Sequence, residues 1–172
     1  MSKIFTTQLN GVFQKIGNDE ESLEDCARFL AQAIAGEGNI YVHGTKEMAG
    51  ILAEVTEGLE NNSAILPLYV NETMQAVSPV DRVLLFTRTT NDEDGIKLVK
   101  TLQQMDIGVA CVTSGNADEG LFEMADVSIN HFITRKLVPT EEGDRTGFPS
   151  LMSGLFIYHC LALNIKEILE DL

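Results

Sequence analysis

Residues 40–59, IYVHGTKEMAGILAEVTEGL, and residues 82–104, RVLLFTRTTNDEDGIKLVKTLQQ, decide the fold. Each begins with a short apolar run, passes through a loop rich in hydroxyls, and continues with apolar residues at helical spacing. In the first, Ile40 to His43 is followed by Met48, Ile51, Leu52, Val55 and Leu59; in the second, Val83 to Thr87 is followed by Ile96, Val99 and Leu102. A strand apolar on both faces, joined to a helix that covers one of them, is the repeating unit of a parallel sheet. Runs at Ile65 to Val70, Ile107 to Thr113 and Val127 to Ile129 supply further strands, and Leu121, Phe122 and Ala125 mark a short helix before the last. The pattern predicts an α/β, doubly wound three-layer sandwich with about five parallel strands in the flavodoxin-like order 2-1-3-4-5.

Upstream, Ile4, Phe5, Leu9, Val12, Phe13 and Ile16 predict an amphipathic opening helix stopped by Gly17-Asn18. Leu23, Cys26, Ala27, Leu30 and Ile34 predict a second, ended by Gly36 and Gly38, and Ser22 with Asp25 has the look of a capping box at its start. Downstream, the polar segment from Thr134 to Ser150 is punctuated by Pro139, Gly143, Gly147 and Pro149. A loop of that length is expected to serve function or an interface. The closing helix, Ser150 to Glu170, carries a stripe of Leu151, Leu155, Tyr158, Ala162, Ile165 and Leu169, with Met152, Phe156, Ile157, Leu161 and Leu163 on its other faces. A helix apolar nearly all round predicts burial on several sides and self-association as a homodimer or homotetramer. No linker or repeat divides residues 1–172, which read as a single domain.

The chain has 26 Asp plus Glu against 12 Lys plus Arg, a formal charge of -14, so no nucleic acid and no membrane is expected as a partner. No apolar run approaches the roughly 20 residues of a spanning helix, and MSKIFTTQLN lacks the apolar core of a secretion signal, so a cytoplasmic location is expected. Cys26, Cys111 and Cys160, odd in number and in apolar contexts, predict reduced, buried thiols.

Open parallel sheets place ligands beyond the carboxyl ends of the strands where strand order reverses, here between the first and third strands. The loops concerned are His43-Gly44-Thr45-Lys46-Glu47 and Thr87-Arg88-Thr89-Thr90-Asn91. Hydroxyls, one cation in each loop and the helix N-termini that follow suit a phosphate. Asp92, Glu93 and Asp94 act the other way, because carboxylates in a first helical turn serve the dipole themselves and repel an anion. As structure alone, Thr87 to Asn91 reads as a helix cap and His43-Gly44-Thr45 as a tight turn with a cap. Neither loop is a GxGxxG or GxxxxGK[ST] sequence, so no nucleotide cofactor is expected.

Three segments, IAGEGNIYVHGTKEMAGILAEV, DRVLLFTRTTNDEDGIKLVKTLQQMDIGVACVTS and FEMADVSIN, resemble the SIS, or sugar isomerase, domain family over most of the chain. The resemblance implies a phosphorylated sugar as partner, a phosphate cradle around Thr87, Thr89 and Thr90, and a sugar-side contribution from Thr45. The candidate substrate-binding set is Gly44, Thr45, Lys46, Thr87, Arg88, Thr89, Thr90, Asn91, Thr113 and Ser114. Among single-domain members the closing segment FIYHCLALNIKEILEDL is similar to phosphoheptose isomerase, which implies catalytic roles for His159 and for Glu54 or Glu57 in aldose-ketose isomerisation. That chemistry moves a proton between adjacent carbons and needs a carboxylate base with an acid nearby. Against these roles, Glu54 reads as solvent-facing, and His159, four residues after Leu155, as a structural histidine on an apolar face. The loop TRTTND lacks the glycine usual in the family, and Lys46 and Glu47 stand where small residues are usual. A non-catalytic phosphosugar-sensing module and an interaction protein without a small ligand are therefore kept as alternatives. His43, His131 and His159 show no ligand spacing, so no metal is expected. Arg135, Lys136 and Arg145 either neutralise a phosphate from the long loop or form a solvated surface.

Overall fold

A computed structural model describes residues 1–172. Helices α1 (Ser2–Asn18) and α2 (Glu20–Ala35) are separated by Asp19 alone, whose N–H bonds the Ile16 carbonyl at 3.1 Å. The expected capping box is not formed. Ser22 lies inside α2, which starts two residues earlier with no side-chain cap bond, and Glu20 and Glu21 supply negative charge to its first turn.

The sheet strands are β1 (Ile40–Gly44), β2 (Ile65–Pro67), β3 (Arg82–Phe86), β4 (Gly108–Thr113) and β5 (Val127–Asn130). They are all parallel and lie in the order β2-β1-β3-β4-β5, as the sequence predicts. After β1 the chain makes a 3-10 turn over Lys46–Gly50 and runs back as α3 (Ile51–Glu57); α4 (Glu93–Gln104) and α5 (Gly120–Met124) make the next two crossovers. Two small antiparallel ribbons, Tyr69–Val70 with Thr73–Met74 and Val138–Pro139 with Arg145–Thr146, decorate the sheet. The run expected as one strand from Ile65 to Val70 is thus split. Leu68 still donates to the Val42 carbonyl at 2.8 Å, and the chain then turns at Asn71 and Glu72, both at positive φ, to pair with itself.

Strand side chains alternate between two cores. Ile40, Val42, Leu84, Phe86, Ala110, Val112 and Ile129 face α1, α2, α3 and the last helix, α6 (Ser150–Glu170). Tyr41, Val83, Leu85, Val109 and Cys111 face α4 and α5 through Leu98, Val99, Leu102 and Leu121. Leu59, expected on the α3 stripe, is fully exposed because α3 ends at Glu57.

Helix α6 has the predicted limits, but its buried line is rotated from the predicted stripe: Ser150, Ser153, Gly154, Ile157, Tyr158, Leu161 and Ile165 face inward. A side chain on Gly154 would meet Met48 Cε at 3.0 Å and Phe86 Cδ1 at 3.4 Å, so small residues allow the helix to close on those two large ones. Met152 and Leu163 remain exposed. No helix is long and apolar enough to cross a membrane.

Candidate functional site

The loops after β1, β3 and β4 are knitted together by their backbones. Thr45 N–H donates to the Phe86 carbonyl at 3.0 Å, Thr87 N–H to Val112 at 2.9 Å, and Thr90 N–H to Ser114 at 2.8 Å. Most of the hydroxyls in these loops are consumed in the same work. The Thr87 hydroxyl is shared between the Thr113 hydroxyl at 2.7 Å and the Thr89 carbonyl at 3.0 Å. Thr90 donates to the Glu119 carbonyl and accepts from Phe122 N–H, while the Ser114 hydroxyl lies within bonding distance of the Arg88 and Ile133 carbonyls. All four side chains are buried. Thr89 and Asn91 are exposed, and Thr45 is buried with its Oγ1 unpartnered. Gly44 permits the loop's tight return, because a Cβ there would overlap the Met48 carbonyl oxygen.

The cations of the two loops are paired. Lys46, at φ 51°, extends to Asp92, its Nζ donating to Oδ2 at 2.9 Å. The buried Asp92 carboxylate also caps α4, accepting Gly95 N–H at 2.8 Å on Oδ1. The N-terminus of α4 therefore already holds a carboxylate where the sequence suggested a phosphate. Arg88 donates from Nε at 2.7 Å and Nη2 at 2.5 Å to the two oxygens of Glu47, and Ser150, the first residue of α6, donates its hydroxyl to the same carboxylate at 2.7 Å. The Arg88 hydrogen bonds, reinforced by that from Ser150, hold Glu47 well below the usual carboxylate range, at about 2.

Beneath this pair, His131 Nε2 lies 3.1 Å from both the Thr87 and Arg88 carbonyls, while Nδ1 accepts the Ile133 N–H at 3.2 Å. Two carbonyls on one nitrogen and an N–H on the other fix the Nε2–H tautomer. Burial lowers the pKa of this side chain, so a neutral imidazole props the backbone that carries Arg88. The sequence shows only that His131 lacks ligand spacing; its loop-supporting role comes from its buried position just after β5.

Glu47 and Arg88, with Lys136 and Phe148 from the long polar segment, line an open hollow of about 410 Å³. Two cations face one carboxylate there. Elsewhere the charge balance is reversed: the groove between α2 and α6 is lined by Glu20, Glu24, Glu167 and Asp171 against Arg28 alone. In a chain of net charge -14, the hollow over Arg88 is the place that favours an anion.

The residues implied for catalysis lie apart from it. His159 is exposed on α6, with Nε2 3.8 Å from Glu54 Oε1 on α3. Both line a groove of about 330 Å³ that extends to Ile65, at the start of β2, and to Leu169 and Glu170 at the end of α6. That groove opens on the side of the molecule toward the amino ends of the strands, whereas the threonine loops lie beyond the carboxyl ends. Glu57 does not line it. No three His, Cys, Asp or Glu side chains come together in an arrangement that holds a metal.

Comparison with known proteins agrees with this architecture. The Bacillus subtilis (strain 168) uncharacterised protein YwjG is 40% identical over 173 residues, 99% of each chain. A phosphoheptose isomerase from Francisella tularensis superposes with a TM-score of 0.71 at 14% identity, over 96% of each chain. A Methanococcus jannaschii protein, whose crystal structure led to an inferred function as a 3-hexulose-6-phosphate isomerase, superposes with a TM-score of 0.61 at 15% identity, over 98% of this chain and 89% of that one. At these identities the likeness shows a shared fold. The family model for DUF2529, a domain of unknown function, matches residues 1–169, and the chain belongs to that family.

Proposed function

We propose that the protein binds a phosphorylated sugar in the hollow over Arg88 and senses it rather than converting it. The observation that carries this reading is the hollow itself, a cationic recess with an aromatic wall beside the β1 and β3 loops of a phosphosugar-isomerase fold. Lys136 and Arg88 match a phosphate and Phe148 offers an apolar face to a sugar ring, while exposed Thr89 follows Arg88 in the same loop. The buried, unpartnered Thr45 hydroxyl, next to the turn that bears Glu47, supports a polar ligand at the end of β1.

Isomerisation requires a base with a pKa near the working pH. Glu47, the carboxylate at the hollow, is held at about 2 and is a poor base. Calorimetric titration with a panel of aldose and ketose phosphates, paired with NMR detection of solvent deuterium exchange beside the sugar carbonyl, tests the reading. Binding without exchange is the expected result; exchange above background overturns the sensor, and no binding by any of the sugars overturns the ligand class.

The contact between Glu54 and His159 favours a second reading, an isomerase whose acid-base pair meets substrate where two copies of the chain assemble. Exposed Met152 and Leu163 on α6 support self-association as a homodimer or homotetramer. Light scattering that returns the monomer mass at micromolar concentration removes that reading, and Glu54→Gln or His159→Asn with unchanged turnover removes the catalytic roles.

A further inference from the structure

We infer that Glu47 is a resident stand-in for the ligand's anionic group: an anion entering the hollow takes over Arg88 and Ser150, and the displaced Glu47 releases the start of α6 from the β1 loop. The inference rests on the phosphosugar-binding reading and adds how occupancy of that site is transmitted.

The donors around Glu47 are those a phosphate selects. A guanidinium presents two parallel N–H groups from Arg88, and a hydroxyl at the start of a helix supplies the third bond. Helix α6 has no acidic residue in its first turn and no side-chain cap, so the negative charge favoured at that end comes from Glu47, on another element. Lys136 lines the same hollow and forms no ion pair within the chain, which leaves one cation free to draw an anion in.

Exchange of one anion for another is feasible at this depth. The Glu47 side chain is 31% exposed and that of Arg88 is 42% exposed, so the carboxylate has water into which to move. Asp92 is unlike Glu47 in this respect: its side chain has no exposed surface and is tied to the α4 backbone, so it stays in place when the hollow fills.

The consequence reaches α6 because the two elements already touch. Glu47 sits on the 3-10 turn Lys46–Gly50, whose Met48 packs on Gly154 and whose Gly50 packs on Leu151. Releasing Glu47 from Ser150 leaves those apolar contacts as the link between turn and helix. The exposed face of α6 bearing Met152 follows directly along the helix.

The test uses inorganic phosphate and ribose 5-phosphate as probes on the full chain. Glu47→Gln removes the competing charge while keeping the side-chain volume, and should bind both probes about threefold or more tightly than the native chain, as expected when an exposed ion pair no longer competes. In the native chain, phosphate should shift the amide NMR signals of Glu47 and of Ser150 to Ser153. Equal or weaker binding by Glu47→Gln overturns the stand-in role. So does native binding that leaves the Ser150 to Ser153 signals unchanged, a measurement that holds even if the variant does not fold. If neither probe binds either protein, the inference fails, and the phosphosugar reading fails with it only when the wider panel of aldose and ketose phosphates also does not bind; if both proteins bind alike, only the inference fails.

Discussion

Acid removes the charge on Glu47 and so probes the contact between the β1 loop, the β3 loop and α6. A carboxylate depressed in the folded state contributes stability that is present above its ordinary pKa and is lost as pH falls toward the folded value. For Glu47 the window runs from 4.5 down to about 2. In a dry site a depression of that size would correspond to about 3 kcal/mol. The Glu47 and Arg88 side chains are 31% and 42% exposed, and solvent screening at such a pair reduces the contribution to about 1 kcal/mol. Urea unfolding of the native chain and of Glu47→Gln, compared at matched pH, isolates it from the other carboxylates. The native chain should be more stable by about 1 kcal/mol near neutral pH, and the gap should narrow progressively below about pH 4.5 and shrink in about 1 M salt. A gap that stays constant down to about pH 3, or no gap at neutral pH, refutes the three-donor account of Glu47.

Three further outcomes follow from the same geometry. Asp92→Ala removes the α4 cap and strands Lys46, and should cost about 1–2 kcal/mol in urea unfolding, whereas Lys46→Ala, at the solvent-exposed end of the pair, should destabilise less than Asp92→Ala in the same assay. His131→Ala leaves the Thr87 and Arg88 carbonyls and Ile133 N–H without their buried partner and should cost about 2–3 kcal/mol. Because burial keeps the His131 imidazole neutral, its contribution should be full above its ordinary pKa and decline as pH falls below about 6.5, so the native chain and His131→Ala should converge there by urea unfolding. Burial pushes the Cys26 thiol up to about 12 and raises Cys111 as well, so a thiol reagent should label half-buried Cys160 first and the other two only on unfolding; early labelling of Cys26 by mass spectrometry would contradict the packing of α2.

The sheet was legible because its strands are apolar on both faces and its crossovers carry helical periodicity, two patterns set by local sequence. The errors fall where the deciding partner is distant. Ser22 and Asp25 have capping spacing, yet α2 begins earlier, immediately after α1 packs and turns at Asp19. Periodicity located α6 but misplaced its inward line, because Gly154 faces Met48 and Phe86, residues no helical wheel contains. At the site, the hydroxyl-rich loops and the acidic turn at Asp92 could be read directly. What those hydroxyls and charges do could not: Lys46 meets Asp92 46 positions away, and Glu47 meets Ser150 across 103. Such pairings depend on which loops the strand order brings side by side. Glu47 stood out in the sequence only as a departure from small residues, and Phe148 gave no signal.

The central claim, that a phosphorylated sugar occupies the hollow between the β1 and β3 loops, is tested most directly by amide chemical-shift mapping during titration with a sugar phosphate that raises the melting temperature. The account predicts shifts centred on Thr45, Glu47, Arg88, Thr89, Lys136 and Phe148. Shifts confined to the groove of Glu54, Tyr158 and His159, with the Arg88 loop unmoved, would contradict it.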